Sequence, residues 1–300
     1  MEELRLKAYG KINLGLDVIR KREDGYHEVK MIMQTVKIYD KLTFKKQEID
    51  EIVIKTNLDF LPTNESNLVY KAIKMLKDEY NIKTGVIVDL YKCIPVSAGM
   101  AGGSTDCAAA LVGMNKLFKL GIKKKKLMEY GVKLGADVPY CILRGTALSE
   151  GIGEILTPLT PMPRCHIVIA KPPINVSTKY VYQNLKLDEN MVHPDIDGMV
   201  RSIQDGSLPG IIDRMGNVLE TVSVTEYPII EEIKTVMNEN GAINSLMSGS
   251  GPTVFGIFED EKLAKNCANV IRSKGQARQV YVVQPFNQNI EEGETYGVKN

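Results

Sequence analysis

Pro95-Val96-Ser97-Ala98-Gly99-Met100-Ala101-Gly102-Gly103-Ser104-Thr105 runs without a break into Asp106 to Leu117, where Ala108, Ala109, Ala110, Leu111 and Met114 make a strong helix. A glycine-rich segment delivered directly to a helix N-terminus narrows what such a chain can be. Glycine lets the backbone take positive φ and come close to a ligand. The first N–H groups of a helix lack internal partners and carry a partial positive charge. Together they suit a phosphate, and Ser104 and Thr105 add hydroxyls for a phosphate oxygen or a hydrated Mg²⁺. A plain strand-to-helix turn with Ser104 as its N-cap is the alternative. Three glycines among small residues exceed what that turn needs. The lysine of a Walker loop is missing from its place, and the H-R-D set of protein kinases is absent. ATP, if held here, is held by another route.

The rest of the chain frames this loop. Leu4 to Ile19 and Met31 to Phe44 read as strands around an Asp24-Gly25 turn, with Gly10 and Gly15 marking a kink or a close backbone approach. A capping run, Thr63 to Asn67, precedes a helix over Leu68 to Tyr80; Gly85 to Cys93 is strand-like, and Lys124 to Leu134 is helical until Gly135-Ala136-Asp137-Val138-Pro139 breaks it. Strand and turn return from Gly145 to Leu159. His166 to Ala170 is a strand, helices are expected at Gly210 to Val222 and Tyr227 to Glu239, and Asn244 to Phe258 is a strand–loop–strand around Ser248-Gly249-Ser250-Gly251-Pro252. A helix over Lys262 to Lys274 and a strand over Gln279 to Val283 complete the alternation, with a frayed polar tail after Phe286. The prolines between Thr157 and Pro163 mark a boundary between residues 1–160 and 161–300. The fold class is α+β with two lobes.

Charge excludes several functions. The 38 Lys plus Arg nearly cancel 37 Asp plus Glu, so no global field draws nucleic acid or an anionic membrane. An anion must be held locally. Five scattered cysteines fit neither a disulfide framework nor a zinc site. Three unclustered histidines argue against a transition-metal site, leaving His166 and His193 structural or exposed. No apolar run approaches a membrane span, and the N-terminus has no signal-peptide core, so a cytoplasmic protein is expected.

Three motifs in order now carry a resemblance. The loop from Pro95 to Thr105 is similar to the central motif of the GHMP kinases, with Met100 and Thr105 as mild departures from its usual Leu and Ser. Ala8-Tyr9-Gly10-Lys11-Ile12-Asn13-Leu14-Gly15-Leu16 resembles the first motif of that family, and Ser248 to Thr253 the third. Gly25-Tyr26-His27, Gly135 to Cys141 and Lys171 to Thr178 resemble one branch, whose acceptor is the cytidine-diphosphate-linked sugar alcohol 4-diphosphocytidyl-2-C-methyl-D-erythritol. The resemblance implies a lobe like domain 2 of ribosomal protein S5 followed by a ferredoxin-like lobe. It also implies phosphorylation of the 2-hydroxyl by ATP with Mg²⁺, in the non-mevalonate route to isoprenoids.

Residue roles follow from the same resemblance. Asp137 matches the general base, although the residues alone equally allow an N-cap of the segment starting at Val138-Pro139. Lys11 would sit beside it and stabilise the developing alkoxide, where a surface lysine is the plain alternative. Asn13 would hydrogen-bond the acceptor. Tyr26 and His27 would read the cytosine by stacking and hydrogen bonding, with Tyr182 as a second stacking partner. Asn67 and Leu68 would border the adenine with Lys92 and Pro95 nearby. Gly99, Met100, Ala101, Gly102, Gly103, Ser104 and Thr105 would hold the phosphates, supported by Gly249 and Ser250. No metal ligand is evident in the loop unless Asp106 contributes one. A homoserine or mevalonate kinase, and a sensor on the same fold that binds without turnover, are the rival readings.

Overall fold

A computed structural model describes residues 3–287; the tail expected to fray lies largely outside the described residues. In chain order the elements are β1 (Glu3–Lys21), β2 (His27–Gln47), β3 (Ile52–Thr56), α1 (Leu68–Glu79), β4 (Gly85–Tyr91), α2 (Gly102–Leu117), α3 (Lys124–Val132), α4 (Val138–Leu143), β5 (Thr146–Glu150) and β6 (Ile155–Pro158). There follow β7 (His166–Lys171), α5 (Thr178–Asn184), α6 (Ile196–Gln204), α7 (Leu208–Ile212), β8 (Gly216–Asn217), α8 (Glu220–Glu226), α9 (Ile229–Glu239), β9 (Asn244–Met247), β10 (Val254–Phe258), α10 (Glu261–Ser273) and β11 (Gln279–Val283). None of the described helices is long and apolar enough to cross a membrane.

β1 and β2 form a long antiparallel hairpin that runs from Glu3 opposite Lys45 to Lys21 opposite His27. It turns where expected, with Gly25 at φ +86° and Arg22 N–H donating to the Tyr26 carbonyl over 2.8 Å. Register shifts between Tyr9 and Lys11, and between Asn13 and Gly15, leave Gly10 and Leu14 out of the pairing, the first at and the second next to the two glycines singled out in this strand. The hairpin is the centre of a seven-stranded sheet in the order β3-β4-β2-β1-β8, with β5 paired to β2 and β6 to β5. The second sheet has four antiparallel strands in the order β11-β7-β10-β9. That order, with helices in the connections, is the ferredoxin-like arrangement.

Two elements differ from the sequence reading. α2 begins at Gly102, four residues before Asp106, so the second half of the glycine loop is the first helical turn. Glycine propensity argues against helix there, and tertiary packing overrides it. The helix expected over Gly210 to Val222 is broken into α7, β8 and α8. Gly216 and Asn217 instead pair with Gly15 and Leu16 of β1, and the Asn217 amide donates to the Met247 and Gly249 carbonyls at 2.9 and 2.8 Å. Those bonds outweigh one more turn of helix.

The sheets share apolar packing. One buried cluster unites Ile12, Leu14, Ile32 and Met100 with Ile167, Ile169, Phe255 and Ile257, which come from both sheets. The middle of β1, from Lys11 to Leu16, therefore lies where the two lobes meet.

Candidate active site

The glycine loop is held from both sides. Lys11 N–H, from β1, donates to the Met100 carbonyl over 3.1 Å. From the other lobe, Ser248 Oγ donates to the Gly99 carbonyl over 3.0 Å. Gly99 has φ +67°, and a Cβ there would lie 2.1 Å from the Ser248 carbonyl oxygen. Only glycine fits that approach. Ala101 takes the N-cap position of α2 in the left-handed region, φ 56°, with no side-chain cap. The first N–H groups of α2 are thus left uncapped at the point where Gly102, Gly103 and Ser104 line a cavity of about 720 Å³.

That cavity lies between the lobes. Lys11, Asp137, Gly25, Tyr26, His27 and Tyr182 all line it, and Gly249 and Ser250 line it from the second lobe. A smaller cavity of about 200 Å³ is lined by Asn67, Leu68, Lys92, Pro95 and Asp106. Ser97, Gly102 and Gly103 border both. The glycine loop is the shared wall.

Within the larger cavity, Lys11 Nζ stands 3.9 Å from Asp137 Oδ2 and donates to Asn13 Oδ1 over 2.7 Å. Asp137 occupies the N-cap position of α4 yet makes no capping hydrogen bond. A carboxylate placed there for structure alone would cap. Its side chain is instead 32% exposed beside an ammonium that is 7% exposed, a pair suited to taking a proton from a hydroxyl and steadying the oxyanion left behind.

In the same cavity, the His27 ring lies 5.1 Å from the Tyr182 ring with planes tilted by 40°. Burial, then the nearby Lys21 charge, pull the His27 imidazole below its ordinary value of 6.5. Burial, then the Asp137 charge, push the Tyr182 phenol well above its ordinary value. Tyr26, 60% exposed, stands at the mouth. Two aromatic faces and a neutral imidazole make a planar, polar-edged slot fit for a nucleobase.

Comparison with known proteins settles the family. Residues 67–145 match the model of the GHMP kinases N terminal domain, and 199–277 that of the GHMP kinases C terminal. A 4-diphosphocytidyl-2-C-methyl-D-erythritol kinase of Lachnospira eligens is 58% identical over 286 residues, covering 95% of this chain and 99% of that protein. This chain belongs to the 4-diphosphocytidyl-2-C-methyl-D-erythritol kinases, a branch of the GHMP family. The protein of the same description from Lachnoclostridium phytofermentans is 55% identical over 95% of this chain and 98% of its own length. A crystal structure of 4-(cytidine 5'-diphospho)-2C-methyl-D-erythritol kinase superposes with a TM-score of 0.81 at 28% identity, over 94% of this chain and 99% of that one. Homoserine kinase from Cytophaga hutchinsonii, at 17% identity and a TM-score of 0.73 over 96% of this chain and 95% of its own, shares the fold.

Not every residue singled out in the sequence lies on a wall of this kinase's cavities. Asn13 is fully buried, with Oδ1 on Lys11 and Nδ2 3.2 Å from Met31 Sδ; it supports the Lys11 ammonium and is not among the residues lining either cavity. Met100 is buried in the packing between the lobes. Thr105 is buried and meets the Cys141 thiol, so its hydroxyl is turned to the core. Asn67 borders the smaller cavity, but both of its polar atoms are spent, accepting from Val69 N–H and donating to the Pro62 carbonyl. Lys92 also borders that cavity, with its ammonium held between Asp40 and Asp106. Among the histidines, His193 is half exposed and pairs with Asp17 at 2.7 Å.

Lys179 and Gln183, which no sequence motif pointed to, line the larger cavity with Tyr182 and with Thr178, the last residue of the Lys171 to Thr178 segment. All four lie on α5, which Ser177 caps by accepting from the Tyr180 N–H. Lys179, Tyr182 and Gln183 are spaced three and four apart, the spacing of one helical face. That signal was present, hidden because the helix is short and follows a Pro-Pro pair. Thr178 Oγ1 also lies 2.7 Å from Ser250 Oγ, joining this helix to the third glycine motif.

Proposed function

We propose that the chain moves the γ-phosphoryl group of ATP to the 2-hydroxyl of 4-diphosphocytidyl-2-C-methyl-D-erythritol, giving the 2-phosphate and ADP. The observation that carries this is the meeting of two cavities at one glycine-lined wall. One has the Lys11–Asp137 pair and the aromatic slot; the other has room beside Asn67, Leu68 and Pro95 for a second planar base. Donor and acceptor then face each other across Gly99 to Ser104. Such juxtaposition is most of what phosphoryl transfer asks of a protein.

In this reading the cytosine lies among Tyr26, His27 and Tyr182, and its sugar alcohol reaches toward Asp137. Asp137 takes the proton of the 2-hydroxyl as that oxygen bonds to the γ-phosphorus. The bond from the γ-phosphorus to the β-bridging oxygen breaks, and the electron pair leaves with ADP. Lys11, held by Asn13, stabilises the negative charge on the attacking oxygen. The uncapped N–H groups at the start of α2 hold the phosphates. Mg²⁺ screens the charge of the triphosphate when bound. Ser104, whose hydroxyl is at the cavity wall, fits an ion that keeps phosphate oxygens and water as its other ligands. Asp106 does not, because its Oδ2 is already taken by the Lys92 ammonium at 2.6 Å.

The sensor reading is disfavoured by Asp137, which forgoes a helix cap to remain beside Lys11. Phosphorus NMR of a reaction with Mg-ATP and the cytidine-linked compound tests the assignment. A new phosphomonoester with the acceptor's diphosphate intact is the expected product. ADP accompanied only by inorganic phosphate would contradict it.

A further inference from the structure

Behind the glycine loop lies a buried ion cluster that the transfer chemistry does not use. Lys92 Nζ bonds a carboxylate oxygen of Asp40, from β2, and Asp106 Oδ2, from α2, the latter at 2.6 Å. All three groups are buried, with Asp40 fully so. The other Asp40 oxygen accepts the backbone N–H groups of Cys93 and Ile94, the latter at 2.8 Å. The ammonium also lies against the first turn of α2: a Cβ on Gly102 would be 3.4 Å from Lys92 Nζ. Asp40 thus holds residues 93–94, where the chain enters the loop, and Asp106 holds the helix by which it leaves.

The charge count argues against a role in stability alone. One ammonium with one carboxylate would be balanced; a second buried carboxylate adds desolvation cost. Burial, then the Asp40 charge, push the Asp106 carboxyl well above the usual carboxylate range against the pull of Lys92. Asp106 Oδ1 moreover finds no hydrogen-bond partner. The third member weakens the cluster as a stabilising device, and what it adds is a tie between the loop's two ends.

We propose that Asp40, Lys92 and Asp106 form a brace that fixes the entry and exit of the glycine loop to each other and so sets the alignment of the ATP phosphates. They are positioning residues, and the proposal rests on the reading of Gly99 to Ser104 as the phosphate holder.

Steady-state kinetics in ATP, in the cytidine acceptor and in Mg²⁺, with thermal melts, test this on wild type, Asp106→Ala and Asp106→Asn. Asp106→Ala leaves a balanced Lys92–Asp40 pair, so the melting temperature stays near that of wild type. KM for ATP rises about tenfold or more, while KM for the acceptor and the half-saturating Mg²⁺ concentration do not move. Asp106→Asn, which keeps an oxygen for Lys92, recovers most of the loss. Should Asp106→Ala not fold, Asp106→Ser, also too short to reach Lys92, takes its place with the same readout. A lowered melting temperature with KM for ATP unchanged overturns the brace. So does a parallel shift in Mg²⁺ requirement, which would make Asp106 a metal ligand. A wild-type enzyme that consumes no ATP overturns the phosphate reading of the loop and the brace with it.

Discussion

Asp137 stands at the start of α4 without capping it, 3.9 Å from the Lys11 ammonium. Removing its carboxylate therefore costs chemistry more than fold. Asp137→Ala is expected to lower kcat by roughly 100- to 10,000-fold, the usual worth of a positioned base, with both KM values and the melting temperature little changed. A kcat within a few-fold of wild type would remove Asp137 from the reaction. His27 makes a pH prediction. Its imidazole is held below 6.5 by burial and by Lys21, so the folded enzyme resists protonation longer than the unfolded chain. Stability linked to this group is present above the ordinary histidine value and is lost as pH falls below it and through the lower value of the folded state. KM for the cytidine substrate is accordingly flat from about pH 8 to 6.5 and climbs in more acidic solution, where a proton removes an acceptor from the slot. His27→Asn should flatten that climb. A KM already rising between pH 8 and 7 would contradict the assignment. At this scale the residues that gather at one cavity were legible where motifs carry them: Lys11, Tyr26, His27 and Asp137 all line it. Asn13 and Thr105 are buried and line neither cavity, a placement that alternation along a strand or a helix does not foretell, since it does not tell which polar side chain turns inward to serve a neighbour.

Among the elements, the glycine loop depends on one contact that no other residue tolerates. Gly99→Ala would set a Cβ 2.1 Å from the Ser248 carbonyl oxygen in the left-handed region, where a side chain costs about 1–2 kcal/mol before any clash. The variant is expected to melt several degrees lower, a 1 kcal/mol loss being worth roughly 2–4 °C in a chain of this size. KM for ATP should rise more than KM for the acceptor. Equal effects on both would show the loop serving the lobe contact rather than the nucleotide. The long β1–β2 hairpin and the strand–loop–strand at Asn244 to Phe258 follow from local pattern and turn residues. The true start of α2 does not, since Gly102 and Gly103 are poor helix formers held in the first turn by the contacts around them. The break between α7 and α8 is similarly set by pairing of Gly216 and Asn217 with β1, a partner two hundred residues away.

For the whole molecule, the site exists only because the lobes meet. Ser248 reaches Gly99, β8 extends the first sheet from the second half of the chain, and Phe255 packs in one cluster with Ile12. Alternation of strands and helices gives two lobes; their mutual placement depends on long-range contacts of which the local pattern carries no trace. The motif order supplied it only through resemblance. This architecture is proposed to phosphorylate a cytidine-linked alcohol. Release of ADP from Mg-ATP, measured with the cytidine-linked methylerythritol, homoserine, mevalonate and galactose as separate acceptors, tests it most directly. Turnover confined to the cytidine-linked compound, and lost in Asp137→Ala, is the predicted result. Faster turnover of another acceptor would leave the phosphate loop standing and contradict the reading of Tyr26, His27 and Tyr182.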